Sequence, residues 1–473
     1  MPLPCDFGAL LIVSFLVSFA NEISHGCYLG PAFACLAIGL AILAWRFLTR
    51  MRASATDTVV TPTLFLRSTW CALASMPITA LLDPKALAHP HTSLAPLRAL
   101  EVISIVLLFT YLPFLGKTSD SQIVRNARFA AFSAIVLATG IAIIHISPAP
   151  IIDVWDLQMH GAKALLRGEN PYVTVAVPDT TPDPHPFPLV PYVYAPGTLY
   201  AGAIGLLMGG DVRYAMLIAV IATGAALRVV AHQRSDGAGS GLPSLVEDAP
   251  ALFVWLMPLL AFIIELSWID PVQLMLICLA GTAAVRKRLA VSAAVIGLAV
   301  VSKQSMFWLV PLAAFALGFR QREWLVMLAT VALGFAPFAI GNFHALKHNT
   351  VDFLLALNPR DDALCVAVWY KSTFGATFPT AISTLTAAAV VVATILRARA
   401  IDPLDPRAPT QRAALFGCAV ALTYFTFFFF AKWAFANYYF LVAGLAALAA
   451  ATSLRDWHET VVSPPHGAAD ARG

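Results

Sequence analysis

The sequence predicts an all-α polytopic membrane protein, and three observations carry that prediction. Of 473 residues, 59% are hydrophobic and only 12% are charged, against roughly 45–50% and 25% in soluble globular domains. Apolar runs of membrane-spanning length recur along the whole chain. The loops between them carry their Arg and Lys unevenly, as alternate sides of a bilayer do. A chain this poor in charge cannot cover a water-facing surface, so most of its exterior faces lipid.

The same composition excludes other classes. The net charge of +4 is dispersed, with no basic block suited to nucleic acid. The seven cysteines show no Cys-x-x-Cys spacing, which argues against a zinc site or a disulfide framework. The start Met1-Pro-Leu-Pro-Cys-Asp6 has no basic segment ahead of its apolar run, so that run is expected to be retained as a span.

A bilayer core of about 30 Å takes roughly 20 apolar residues per helix. Fourteen spans are expected, near residues 8–25, 27–45, 63–82, 98–115, 128–147, 213–231, 249–266, 270–285, 288–302, 305–319, 324–341, 379–397, 412–431 and 434–453. The run 198–209 is too short to cross alone and reads as a half-helix or interfacial piece. With both termini cytoplasmic, 20 of the 30 Lys and Arg residues fall on the cytoplasmic side. Counting 198–209 as a span would move Arg286-Lys287-Arg288 outside. No soluble domain or internal repeat is visible.

Two long external segments remain, 148–197 and 342–378. Loops of that length in a compact protein usually carry function. In the first, Ser147-Pro-Ala-Pro150 and Gly168 punctuate a helix of about fifteen residues with Asp153 expected as its N-cap. At about 100° per residue, Asp153, Asp156, His160, Lys163 and Arg167 share one stripe. Trp155, Met159, Ala162 and Leu166 form a second, which suits an amphipathic helix at the interface, its apolar side in the membrane or on the bundle. A carboxylate beside an apolar boundary gains basicity by partial desolvation and can serve as a general base. The proline-rich stretch Pro178–Pro196 suits a lid or wall.

The run Ile152-Asp-Val-Trp…Gly161-Ala-Lys-Ala-Leu-Leu-Arg-Gly-Glu-Asn-Pro-Tyr172 resembles the first-loop signature of polytopic GT-C glycosyltransferases. It is nearest glycosyltransferase family 87, the polyprenyl-phosphate-mannose-dependent mannosyltransferases. Tyr192-Val-Tyr-Ala-Pro196, Glu265…Trp268-Ile-Asp-Pro271, Gly297-Leu-Ala…Ser302-Lys-Gln304 and Lys432…Phe435-Ala-Asn-Tyr-Tyr439 follow in the family's order. The resemblance covers roughly residues 128–453. It leaves 1–116 as an N-terminal four-span segment outside the match, ahead of a catalytic region at 117–473. It implies a GT-C-like bundle whose base is an aspartate in the first large external loop. Asp153 and Asp156 both fit forms of that motif, and the choice between them stays open.

Glu265, Asp270, Lys303 and Lys432 fall at the external ends of spans, where ionisable groups are costly and usually face a polar cavity. A departing lipid phosphate needs fixed positive charge. Lys303, Lys432, His344, Lys347, His348, Arg360 and Lys371 are candidates for that role. His160, Gln304, Asn437 and Tyr438 are candidates for hydrogen bonds to substrate, and Tyr172, Tyr192, Tyr194, Trp268 and Trp433 for stacking on sugar faces. The resemblance does not require a metal, and no cofactor is expected.

The expected function is transfer of a sugar, with mannose favoured, from a polyprenyl-phosphate donor to an extracytoplasmic glycolipid or glycan acceptor, with inversion as the resemblance implies. The expected setting is a bacterial plasma membrane, a reading supported by 22 Arg against 8 Lys. A secondary transporter or lipid flippase is the alternative, and a structural subunit of a wall-polymer complex a third. Transporters tend to show repeated halves and broken helices with midplane charges. Here the polar residues gather on one face beside long loops, which favours an enzyme.

Overall fold

The computed structural model describes residues 5–49, 62–82, 93–114, 121–180, 188–232 and 243–461. These residues are nearly all helical, because a backbone surrounded by lipid must satisfy its own polar groups. In chain order come α1 (Cys5–Ser24), α2 (Gly30–Thr49), α3 (Pro62–Leu82), α4 (Ala95–Phe109) and α5 (Gln122–Ile146). The first large loop then holds α6 (Asp153–Leu166), α7 (Pro171–Thr174) and two short strands, β1 (Ala176–Val177) and β2 (Val190–Pro191). The strands pair antiparallel, Ala176 opposite Pro191 and Val177 opposite Val190.

Next follow α8 (Pro196–Gly209), α9 (Arg213–Ala231), α10 (Ser244–Trp255), α11 (Leu260–Glu265), α12 (Asp270–Val285), α13 (Leu289–Ser302) and α14 (Leu309–Ala316). The chain ends with α15 (Gln321–Lys347), α16 (Phe353–Ala356), α17 (Val366–Phe374), α18 (Ala381–Arg399), α19 (Ala408–Phe429) and α20 (Ala436–Val461).

Among the described residues, nine helices are long and apolar enough to cross a membrane: α1, α2, α3, α5, α9, α15, α18, α19 and α20. This is the architecture of a multi-pass membrane protein. The other five expected spans are shorter or broken. The expected span 98–115 falls on α4 (Ala95–Phe109), a helix of 15 residues, and residue 115 lies outside the described residues. The stretch 249–266 breaks at Pro258 into α10 and α11, since proline cannot continue the hydrogen-bond ladder. A left-handed Lys287 (φ 58°) follows α12, 16 residues long. An extended Lys303 stops α13 after 14 residues. The expected span 305–319 is a 3-10 turn over Gln304–Trp308 followed by the eight residues of α14. The piece at 198–209 is α8, which packs on α6 and α9.

The core sits around α20, which packs against α1, α9, α10, α12 and α19. Of the apolar stretch of α20, 94% is buried, against 11% for the stretch over Gln321–Ala356. Small side chains allow this density, as they do where membrane helices meet without a hydrophobic drive. Ser14 Oγ donates to the Ala443 carbonyl at 3.0 Å. A Cβ at Gly417 would stand 3.1 Å from Ala449 Cα and 2.6 Å from Thr452 Oγ1. Thus α1 runs inside the bundle, against α20.

The bundle's two ends differ in chemistry. At one end Arg125 pairs with Glu247 at 3.3 Å and Arg228 with Asp248 at 3.0 Å. His232 Nδ1 lies 2.9 Å from Glu247, and the Tyr111 hydroxyl donates to Asp248 at 2.8 Å. Arg128 donates to Ser244 and Arg455 to the His232 carbonyl. At the opposite ends of α5, α9 and α20 lie α6, Arg213 and Asn437. The arginines at the first end all belong to the group that the charge rule assigns to the cytoplasm. Cysteine scanning with an impermeant reagent in intact cells is therefore expected to label exposed positions in 151–180 and 344–378, but not 399–407 or Arg286→Cys. Labelling of Arg286→Cys from outside would reverse the crossing count between α5 and α12.

Candidate active site

The first cluster forms where α12 begins, α13 ends and α20 begins. Asp270 occupies the first turn of α12, with Pro271 beside it pre-setting the helical φ. Its carboxylate is fully buried. Lys303 Nζ donates to Asp270 Oδ1 at 2.8 Å, and Asn437 Nδ2 donates to Oδ2, also at 2.8 Å. The Lys303 ammonium lies 4.5 Å from the centre of the Tyr438 ring. Lys303 reaches this place because α13 stops early. The Ser302 carbonyl accepts from Thr198 Oγ1 at 2.7 Å, and a Cβ on Gly197 would come within 2.8 Å of Ser302 Cα. Asp270, Lys303, Asn437 and Tyr438, expected separately, thus converge on one site.

The second part is α6. Its N-cap is Ile152, so Asp153 is the first helical residue and not the cap. The Asp153 carboxylate accepts the Val154 N–H at 2.9 Å, and the Asp153 N–H donates to Thr180 Oγ1 at 2.8 Å. Burial raises the Asp153 carboxyl above its ordinary value. The Val154 N–H and Arg360 pull it back, while Asp179 adds to the rise. Tyr194 links the two parts. Burial, then Asp153, Tyr192, Tyr438 and Asp270, push its hydroxyl well above the phenolic range, so it stands protonated and within electrostatic reach of both carboxylates.

One face of α6 is covered by the protein: Leu157, Gln158, Met159, Gly161, Ala162 and Ala164 are buried. A Cβ on Gly161 would stand 2.4 Å from the Tyr192 ring. The apolar side therefore rests on α8 and the loop, and Leu166, expected on it, is exposed. His160, Lys163 and Arg167 point to solvent. His160 Nδ1 bonds the Asp156 carbonyl of its own helix at 2.8 Å, and Arg167 pairs with Glu169. Asp156 is half-buried one turn beyond Asp153.

Several expected substrate contacts serve the scaffold instead. Lys432 Nζ donates to the carbonyls of Leu354, Leu355 and Leu357, the last at 2.7 Å, closing the C-terminal end of α16. Desolvation lowers its affinity for a proton. Gln304 Nε2 donates to the Val193 and Thr350 carbonyls, tying two loops together. Tyr172 is buried, with its hydroxyl on the Tyr194 carbonyl at 2.7 Å and its ring edge-on to Tyr192 and Phe338. It shapes the loop rather than offering a stacking face. Glu265 is buried at the end of α11. His348 is exposed and stacks on His344. Lys347 and Lys371 pair with Asp352 and Asp361.

Two site features were not read from the sequence. Arg213 is fully buried and grips both carboxylate oxygens of Asp211 with the Nε–Nη2 edge of its guanidinium, at 2.9 and 2.7 Å. It also donates to the Ser147 carbonyl at 2.7 Å and lies 5.8 Å from the Trp155 ring, so it fixes the turn that delivers Asp153. The Asp211-x-Arg213 spacing at a helix start was its signal. The second is Tyr194 as the bridge, a role with no sequence signal because it needs two distant carboxylates. Among the described residues, no group of three or more His, Cys, Asp or Glu side chains is placed to hold a metal ion.

The arrangement supplies a partly desolvated carboxylate, a protonated phenol and a cation held against a buried carboxylate. Removing only one partner of a buried ion pair leaves the other uncompensated, at a cost of about 3–5 kcal/mol. Lys303→Met is expected to destabilise the fold by that order, and Lys303→Met/Asp270→Asn to recover most of the loss. Thermal unfolding in detergent checks this, and additive losses would mean that the pair is not coupled. No protein-family model, curated protein or solved structure matches this chain.

Proposed function

We propose that this protein is a GT-C-like membrane glycosyltransferase of the bacterial plasma membrane, moving a sugar, mannose by resemblance, from a polyprenyl phosphate to an extracytoplasmic glycolipid or glycan acceptor. The observation that carries the reading is the convergence of Asp153, Tyr194, Asp270, Lys303, Asn437 and Tyr438 at one end of the bundle. The family-like motifs, scattered over nearly three hundred residues, meet there.

In this reading Asp153 takes the proton from an acceptor hydroxyl. The freed oxygen attacks the anomeric carbon from the face opposite the phosphate and inverts it. The carbon–oxygen bond to phosphate breaks, and its electron pair leaves on the lipid phosphate. Lys303 and Arg360 are the cations placed to meet that charge, which is where fixed charge lowers a barrier most. Tyr194 donates a hydrogen bond to a sugar hydroxyl or to the phosphate. A partly desolvated base is stronger than an exposed carboxylate and suits a weakly acidic alcohol.

Asp153→Asn keeps size and removes basicity, so turnover is expected to fall about 10²–10⁴-fold. Asp156→Asn is expected to cost less. The reverse order, at matched expression and melting temperature, would transfer the base to Asp156. The acidic limb of the pH–rate profile reports the base. Asp179 raises its pKa and Arg360 lowers it, so Asp179→Asn should move that limb to lower pH and Arg360→Gln to higher pH. No movement in either variant would separate Asp153 from the rate.

A secondary transporter or flippase is the second reading, favoured by the buried Asp270–Lys303 pair, since intramembrane ion pairs also serve proton-coupled transport. Purified protein assayed with a panel of radiolabelled polyprenyl-phosphate sugars separates the two. Transfer is the expected result. Uptake or lipid scrambling in proteoliposomes without transfer would establish the transporter.

A further inference from the structure

The segment outside the family-like region touches both walls of the site through one turn. Residues 21–28 close α1 and open the way to α2. Asn21 Nδ2, fully buried, donates to the Ala436 carbonyl at 2.9 Å, one residue before Asn437 and two before Tyr438. Gly26 adopts φ +75° with its backbone against Ala436, and a Cβ there would stand 2.2 Å from Ala436 N. Both the left-handed turn and the close approach require glycine. The turn is set from within, because Ser24 Oγ accepts the Gly26 N–H at 3.1 Å and donates to the Ala20 carbonyl at 2.7 Å.

On its other side the same turn binds the loop that carries Arg360. Cys27 forms an antiparallel bridge with Ala363, and the Tyr28 N–H donates to the Asp362 carbonyl at 2.9 Å. Asp362 in turn grips Arg360 with both carboxylate oxygens, at 2.9 and 2.6 Å. Arg360 lies 4.6 Å from the Phe435 ring and acts on the charge of Asp153. The two clamped segments also hold each other, through Leu364 N–H to the Ala434 carbonyl at 2.9 Å and the Tyr439 hydroxyl to the Leu364 carbonyl.

We infer that the α1–α2 turn is a clamp that fixes segments 360–365 and 434–438 against each other, and that Asn21 and Gly26 are positioning residues for Asn437, Tyr438 and Arg360. The N-terminal segment thereby serves the site through its first hairpin. The consequence for donor binding rests on the transferase reading. The clamp itself does not.

Asn21→Leu keeps the volume and removes the hydrogen bond. Losing one buried hydrogen bond corresponds to about 3- to 10-fold in a local equilibrium. Hydrogen exchange followed by mass spectrometry on the detergent-purified full chain is expected to speed up by that factor in 360–365 and 434–440. Exchange in α10, at the far end, should stay at the wild-type rate. In the same variant the KM for the polyprenyl-phosphate sugar should rise about 3- to 10-fold, with the melting temperature within a few degrees of wild type. A merely structural role would change the amount of folded enzyme and leave KM alone. Gly26→Ala should act in the same direction and more strongly; if it does not fold, Asn21→Leu decides. Unchanged exchange in both segments overturns the clamp. Faster exchange with an unchanged donor KM overturns the positioning role. Faster exchange in a protein whose wild type transfers no sugar supports the clamp and removes the transferase reading instead.

Discussion

A carboxylate with no access to water has to be neutralised where it stands, and Asp270 is such a group. Lys303 and Asn437 meet its two oxygens from different helices, so the ends of α12, α13 and α20 are joined at one point. Much of the site's architecture follows from that requirement. The α13 helix must stop at Ser302 for Lys303 to turn inward, and α8 must approach closely enough for Thr198 to hold the Ser302 carbonyl. The Tyr438 ring then takes the open side of the ammonium.

The same logic explains where the bundle departs from regular spans. Pro258 separates α10 from α11, and the short α12 and α13 meet where the Asp270–Lys303 pair is buried. The α15 helix runs long along the outside of α13, with most of its apolar stretch uncovered by protein and a break in helical geometry at Asn342. Breaks in the backbone at membrane depth are tolerated where protein covers them, because the freed polar groups find partners there. The far end of the bundle carries its own buried ion pairs among Arg125, Arg228, Glu247 and Asp248. Among the described residues, the buried ion pairs thus lie at two ends of a core rich in buried alanine.

Several residues with promising chemistry turn out to be occupied. Lys432 and Gln304 spend their hydrogen bonds on backbone carbonyls, and Tyr172 is packed under the loop that holds Tyr194. Each keeps a piece of the site in place. Their motifs therefore mark the neighbourhood of the site more than its contacts.

The sequence alone determined the all-helical membrane class, the position of the α6 helix within two residues, and the placement of Asp270, Lys303 and Lys432 at helix ends. Those features follow from composition, span length and punctuation by proline and glycine, all of which are local. It could not determine which expected spans would be short, because Pro258 and Lys287 act according to what covers them. Nor could it tell an occupied polar side chain from an available one. That distinction depends on partners more than a hundred residues away, as for Asn437 on Asp270 and Gln304 on Val193. The tertiary structure decided that Asp153 is half-buried, within electrostatic reach of Tyr194 and Arg360, while His160 turns outward, although both lie on one stripe of one helix. Helical periodicity gives an angle around the axis. Only packing decides which neighbour waits at that angle.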